Sequence, residues 1–189
     1  VITLQEQPIP LQQELSGRVK AKLVSQVRPQ ISGIITKQLF TEGSLVKEGE
    51  ILYQIDSASY QASFFQAKAS LESAKVDAKN AKIKSQRYEE LLKFDGTSKQ
   101  EAEDAKAVYL QAEALVEEKK ANLESAKIDL ERTNIKAPIS GYISISNVTK
   151  GALVSTNQTE ALATIRDTSS VYVDLNQSIQ ISIQILFWK

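Results

Sequence analysis

The chain has 189 residues, with 23 Lys and Arg balanced by 23 Asp and Glu, and it contains neither Cys nor His. Balanced charge offers nucleic acid no strongly basic face. The missing Cys and His exclude thiol nucleophiles, disulfides, zinc-finger spacings and imidazole acid–base catalysis. The carboxylates show no calcium-loop spacing, so no catalytic residue, metal site or cofactor is expected.

No apolar run approaches the ~18 residues that span a bilayer, and no signal peptide opens the chain. With Val at position 1 and no Met anywhere, the chain is expected to be a processed or trimmed product whose export signal or anchor lies outside it. Ile2 to Leu23, apart from Pro8 and Pro10, has strand character. Gln26 to Asp56 then reads as short strands between glycine turns: Ile34-Ile35, Leu45-Val46 and Ile51-Leu52-Tyr53, with Gly43 and Gly49 flanking a turn.

From Tyr60 the period changes. Tyr60, Phe64, Ala67, Leu71, Ala74, Ala78, Ala81, Ser85, Tyr88 and Leu92 recur in alternating steps of four and three. So do Ala102, Ala105, Tyr109, Ala112, Val116, Lys119, Leu123, Ala126 and Leu130. That is the ~3.5-residue period of a coiled-coil seam. The outer faces carry Ala, Lys, Glu, Gln and Leu without Pro or Gly, which favours two long helices. Between them, Lys93 to Ser98 is too short for anything but an antiparallel return. Gly96 is expected to take the positive φ of the turn. Ser98, with Glu101 three residues on, has the spacing of a capping box. Each arm of about 36 residues, at about 1.5 Å rise, reaches about 55 Å. So slender a stalk has no room for a pocket; its use is reach and contact through its sides or tip.

The first pattern then returns. Pro138-Ile139-Ser140-Gly141 repeats Pro29-Gln30-Ile31-Ser32-Gly33, and Gly151, Leu153 and Val154 follow as Gly43, Leu45 and Val46 did. Strands are expected at Tyr142-Ile143, Leu153-Val154 and Leu162 to Ile165, with Asn157 in the place of Gly49 because Asn tolerates a left-handed conformation. Neither half can bury its apolar face alone, so the two should interlock into one small sandwich. This layout resembles a biotinyl/lipoyl domain. Such carriers hold a modified Lys in the turn between halves, and here Asp56-Ser57 leads into the helices with no Lys, which argues against an enzyme's carrier subunit. Arg166 to Leu175 reads as a further strand. Ile179 to Ile185 alternates like a strand with one apolar face.

Taken together, Val27 to Gly33, Thr41 to Gly49, Leu52 to Asp56, Lys136 to Gly141, Gly151 to Val154, Ala161 to Ile165 and Val171 to Asp174 resemble the periplasmic adaptor (membrane fusion) proteins of RND-type tripartite drug efflux pumps. The final run from Ile179 departs from that family. The resemblance implies an α+β fold: a long antiparallel coiled-coil hairpin (57–133) inserted between the halves of a lipoyl-like β-sandwich (24–56 and 134–165), with part of a β-barrel domain (1–23 and 166–189). It implies a non-catalytic, periplasmic role in a Gram-negative bacterium, anchored to the inner membrane through a segment outside the sequence. The implied partners are an inner-membrane RND transporter, a TolC-type outer-membrane channel, and further copies in a ring, hexameric by family expectation. An adaptor of an ABC-type exporter or type I secretion system shares the same parts and is the alternative; a purely structural coiled-coil scaffold would tolerate any change at the tip.

In this family the tip carries an Arg-x3-Leu-x6-Ser pattern that engages the channel, present here as Arg87, Leu91 and Ser98. The helical period independently puts Leu91 outside the seam, with Arg87 one turn below on the same face. Lys93, Phe94, Asp95 and Thr97 are further candidate contacts. Plainer readings pair Arg87 with Glu90, make Ser98 a cap only, and fold Phe94 over the helix ends.

Overall fold

The computed structural model describes residues 16–175; the expectations for Ile2 to Leu15 and for Ile179 to Lys189 lie outside them. In chain order the elements are β1 (Gly17–Val27), β2 (Gly33–Gln38), β3 (Leu45–Val46), β4 (Ile51–Ile55), α1 (Ala58–Leu92), α2 (Lys99–Glu131), β5 (Asn134–Lys136), β6 (Gly141–Ile143), β7 (Leu153–Val154) and β8 (Ala163–Leu175). The strands form two antiparallel sheets, ordered β1-β8-β6-β3 and β5-β4-β2-β7.

Each sheet takes strands from both copies of the repeated pattern, and the exchange is reciprocal. Gly33 pairs with Val154 and Ile34 with Leu153, while Gly141 pairs with Val46 and Tyr142 with Leu45. Ile35 N–H donates to the Ala152 carbonyl (2.9 Å), and Ile143 N–H donates to the equivalent Ser44 carbonyl (3.1 Å). The hydroxyl of Ser140 accepts from Glu48 N–H (2.9 Å), and Ser32 accepts from Thr156 N–H (3.4 Å). Such matched bonds arise because each copy leaves the same backbone groups open, and only the other copy satisfies them.

Alternation does the rest. Ile35, Val46, Ile55, Ile143, Val154 and Ile165 point inward and are almost fully buried with Val27, Leu52, Tyr53 and Leu162. Tyr53, the largest buried side chain, stacks edge-on against Phe40 at 5.2 Å and shares a 2.6 Å hydrogen bond with the Ser146 hydroxyl. Burial pushes its phenol up, away from ionisation.

Three local expectations change. Asn157 has no positive φ; among the described residues the left-handed positions are Gly43, Gly49, Gly151 and one non-glycine, Asp95. The turn at Asn157 closes instead through Gln158, whose N–H reaches the Ser155 carbonyl and whose side-chain oxygen accepts from Ser155 N–H. Leu162 lies just before β8, its N–H donating to the Val27 carbonyl (2.8 Å). The separate strand expected after Ile165 is a continuation of β8, which pairs with β1 throughout except for a register shift between Ala21 and Leu23.

α1 and α2 pack side by side. The seam positions named above are the buried or half-buried residues of α1, with Leu92 marginally exposed; in α2 the same holds, joined by half-buried Asp129. Lys82 lies over the ring of Tyr109, and Ser63, Ala67 and Ser70 share a shallow depression with Lys119 and Asn122, so α2 runs back along α1. The Lys119 ammonium leaves the seam to meet Glu118 at 2.9 Å. At 35 and 33 residues, the helices extend about 50 Å from the sheets.

Candidate functional site

The two ends of the helix pair differ in kind. At the root several groups are tied down. Asp56 accepts from Ala58 N–H at 3.1 Å and starts α1, since Ser57 makes no side-chain cap. The Tyr60 hydroxyl donates to the Ser32 carbonyl (2.8 Å), and Ile55 N–H donates to the carbonyl of buried Thr133 (2.8 Å). The far end, Arg87 to Ser98, presents side chains to solvent on a firm backbone.

That backbone closes around one carbonyl. The oxygen of Leu91 accepts from Phe94 N–H (3.1 Å) and from Gly96 N–H (2.9 Å), ending α1 in a tight loop. Asp95, at φ 53°, supplies the left-handed residue that the sequence reading assigns to Gly96. Asp tolerates that conformation at modest cost. Gly96 eases a tight spot instead: a Cβ there would sit 3.3 Å from both the Leu91 carbonyl oxygen and its Cδ2, so the neighbours would have to give by a few tenths of an ångström.

Ser98 forms a complete capping box, accepting from Glu101 N–H at 3.2 Å while the Glu101 carboxylate accepts from Ser98 N–H at 3.0 Å. The same carboxylate oxygen accepts from the hydroxyls of Thr97 (2.7 Å) and Ser98 (2.9 Å). These bonds, led by the Ser98 backbone, hold the Glu101 carboxyl below its usual range. The depressed value fixes the sign of the pH effect. The capping contribution is fully present above the ordinary Glu range and is lost as pH falls through the lowered value. Amide exchange at Lys99 to Glu101 is expected to quicken in that acid window, and Ser98→Ala is expected to quicken it at neutral pH by removing about 1 kcal/mol of cap stabilisation.

The side chains face outward. Leu91 is 41% exposed and Phe94 84% exposed, so Phe94 does not fold over the helix ends. Arg87, Lys93 and Asp95 are exposed, and Thr97 is half-buried. Among the described residues Arg87 makes no ion pair, including none with Glu90. An apolar pair beside an uncommitted guanidinium can bind a surface that offers a pocket and carbonyl or carboxylate acceptors. Among the described residues there is no cluster of metal-ligating side chains, and no helix is long and apolar enough to cross a membrane.

Comparison with known proteins gives the following. The family model described as "RND MFP, barrel-sandwich hybrid domain" matches residues 23–166. The antibiotic efflux pump periplasmic linker protein ArpA of Pseudomonas putida is 49% identical over 178 residues, covering 94% of this chain and 44% of its own. The multidrug efflux pump subunit AcrA of Escherichia coli (strain K12) is 46% identical over 178 residues, covering 94% and 45%. A MacA–MexA chimeric protein containing the Pseudomonas aeruginosa MexA alpha-hairpin domain has a TM-score of 0.63 at 33% identity, over 89% of this chain and 56% of that one. The membrane fusion protein Spr0693 of Streptococcus pneumoniae R6 has a TM-score of 0.68 at 19% identity, over 90% and 73%, which shows a shared fold. The chain thus spans less than half the length of these two curated relatives.

Proposed function

This chain belongs to the membrane fusion proteins of RND pumps, and we propose that it is the part of a periplasmic adaptor that links an inner-membrane RND drug transporter to a TolC-type outer-membrane channel. The role is non-catalytic, and it serves multidrug efflux and antibiotic resistance in a Gram-negative bacterium. One observation carries the reading: a pair of long helices, rooted in an interlocked β module, ends in a rigid cap that leaves Leu91, Phe94 and Arg87 outward and uncommitted. The printed names of ArpA and AcrA, an efflux linker and an efflux pump subunit, agree with it. The RND reading is preferred to an ABC-type exporter because the matching family model is that of RND adaptors.

In this reading residues 57–133 are a hairpin for docking, with Arg87, Leu91 and Ser98 meeting the channel and Lys93, Phe94, Asp95 and Thr97 around them. Residues 24–56 and 134–165 form a lipoyl-like mount without a carrier lysine. Residues 1–23 and 166–189 belong to a barrel domain, a division supported by the break in the β1–β8 ladder beside Leu23. Anchorage to the inner membrane and assembly into a hexameric ring complete the proposal.

The test is site-directed crosslinking in cells carrying the complete pump. The chain has no Cys, so a single cysteine at Leu91 or Phe94 reports cleanly. Crosslinks from the tip to the channel are expected, with none from the exposed α1 position Phe65. Absence of tip crosslinks would reject channel docking.

A further inference from the structure

The loop that closes the tip also holds a reactive dipeptide. Asp95-Gly96 is the one Asp-Gly pair in the sequence. An aspartyl carboxyl in that setting is open to attack by the next backbone nitrogen, because glycine has no side chain to shield the nitrogen or restrict its rotation.

The fold engages every other aspartate. Asp77 and Asp104 lie inside α1 and α2, where the following amides are committed to helical hydrogen bonds. Asp56 accepts from Ala58 N–H (3.1 Å), and Asp167 accepts from Ser169 N–H (2.8 Å). Asp129 meets Arg132 at 3.5 Å, and Asp174 pairs with Lys20. Among the described residues, Asp95 alone is exposed, lies outside the helices and strands, and has a carboxylate without an ion pair or hydrogen bond. One bond restrains it: the N–H of Gly96, carried by the nitrogen that would attack, donates to the Leu91 carbonyl at 2.9 Å.

We propose that Asp95 is a site of spontaneous isomerisation, held back by that bond. When the bond opens, Gly96 N attacks Asp95 Cγ. An N–Cγ bond forms, and the carboxyl hydroxyl leaves as water with the amide proton. The product is a five-membered succinimide spanning residues 95 and 96. Water then adds to one of its two carbonyls. Cleavage at Cγ restores aspartate, whereas cleavage at the original peptide carbon leaves Gly96 joined through Cγ, as isoaspartate. One water leaves and one returns, and no other reagent enters.

The isoaspartyl link carries the main chain through Cβ, adding a carbon–carbon bond of about 1.5 Å. The Leu91 carbonyl, which accepts from both Phe94 and Gly96, cannot keep both donors over the longer path, because N–H···O bonds span only about 2.7–3.2 Å. The tip loop therefore opens. That an opened tip docks poorly rests on the channel reading above; the chemistry does not.

The purified 189-residue chain is incubated in warm neutral buffer beside a free peptide spanning Lys93 to Lys99. Isoaspartate is read by methylation with an isoaspartyl methyltransferase and located by tandem mass spectrometry. Asp95 is expected to convert ahead of every other aspartate, roughly fivefold more slowly than in the peptide, the factor set by one net hydrogen bond. No isoaspartate at Asp95 once the peptide has converted, or equal conversion at Asp56 or Asp167, would overturn the proposal. Asp95→Asn is expected to reach the same succinimide faster, with loss of ammonia. Asp95→Glu, whose ring would have six members, is expected to remove the signal, and an unchanged signal would overturn the assignment. In the isomerised fraction amide exchange at Gly96 is expected to quicken; unchanged exchange would overturn loop opening. Fresh protein that gives no tip crosslinks rejects channel docking and leaves the modification site standing. Tip crosslinks from a chain that never isomerises do the reverse.

Discussion

Leu91→Asp is expected to abolish drug efflux while leaving the fold and the cellular level of the protein unchanged. Leu91 is outside the helix seam, and its side chain is 41% exposed. The carbonyl that closes the loop belongs to its backbone and survives substitution. The loss therefore falls on binding rather than stability. Small interfaces concentrate their energy in a few anchors, so a carboxylate in place of this one costs about 2 kcal/mol or more, roughly thirtyfold in affinity. Arg87→Ala should act in the same direction. Arg87→Lys should not rescue it fully, because an ammonium cannot reproduce the planar fork of donors. Drug susceptibility with immunoblotted protein levels checks both. Wild-type resistance from Leu91→Asp and Arg87→Ala together would show that the tip is only the end of a scaffold.

Gly141→Ala is the second large effect, and it acts on the mount. A Cβ at Gly141 would press into the Arg166 carbonyl group, 2.7 Å from its carbon and 3.0 Å from Asp167 N. These are backbone atoms of a paired strand, held on one side by β1 and on the other by β6, and they cannot step aside. Forcing atoms into such a site costs about 3 kcal/mol, a fall in melting temperature of about 8 °C for a chain of this size. Gly33→Ala, at the equivalent position of the first copy, meets only the Cγ2 of Ile55 at 2.5 Å. That methyl sits on the β carbon of a buried, β-branched side chain with little χ1 freedom; it can shift slightly where the Arg166 backbone cannot, so the expected cost is somewhat smaller. Thermal unfolding followed in the near-ultraviolet, where buried Tyr53 reports on the module, distinguishes the two. Equal losses would mean that both glycines serve only local backbone freedom.

Much of this was legible beforehand, for identifiable reasons. The seam could be read because in a two-helix pair burial depends on angular position alone, and the 3.5-residue repeat encodes that position. The capping box could be read because Ser98 and Glu101 are neighbours on one turn. The matched glycines announced two interlocking halves because a duplicated pattern leaves duplicated unpaired edges. Where the chain meets itself across a loop, the reading failed. Asp95 rather than Gly96 turns left-handed, since it is the Gly96 N–H, one residue later, that closes on the Leu91 carbonyl. Asn157 keeps an ordinary backbone because Gln158 closes its turn with both backbone and side chain.

Composition and spacing alone were enough to exclude thiol and imidazole chemistry, to lay out the helices, and to mark Arg87, Leu91 and Ser98 as positions sharing one end. These are properties of periodicity and residue chemistry, which hold before any long-range contact forms. Only folding decided which strand meets which and, among the described residues, that Arg87 makes no ion pair and Phe94 stands outward. The strand pairing depends on contacts between residues about a hundred positions apart, and such contacts are selected by the joint burial of both copies, which no local stretch of the chain contains.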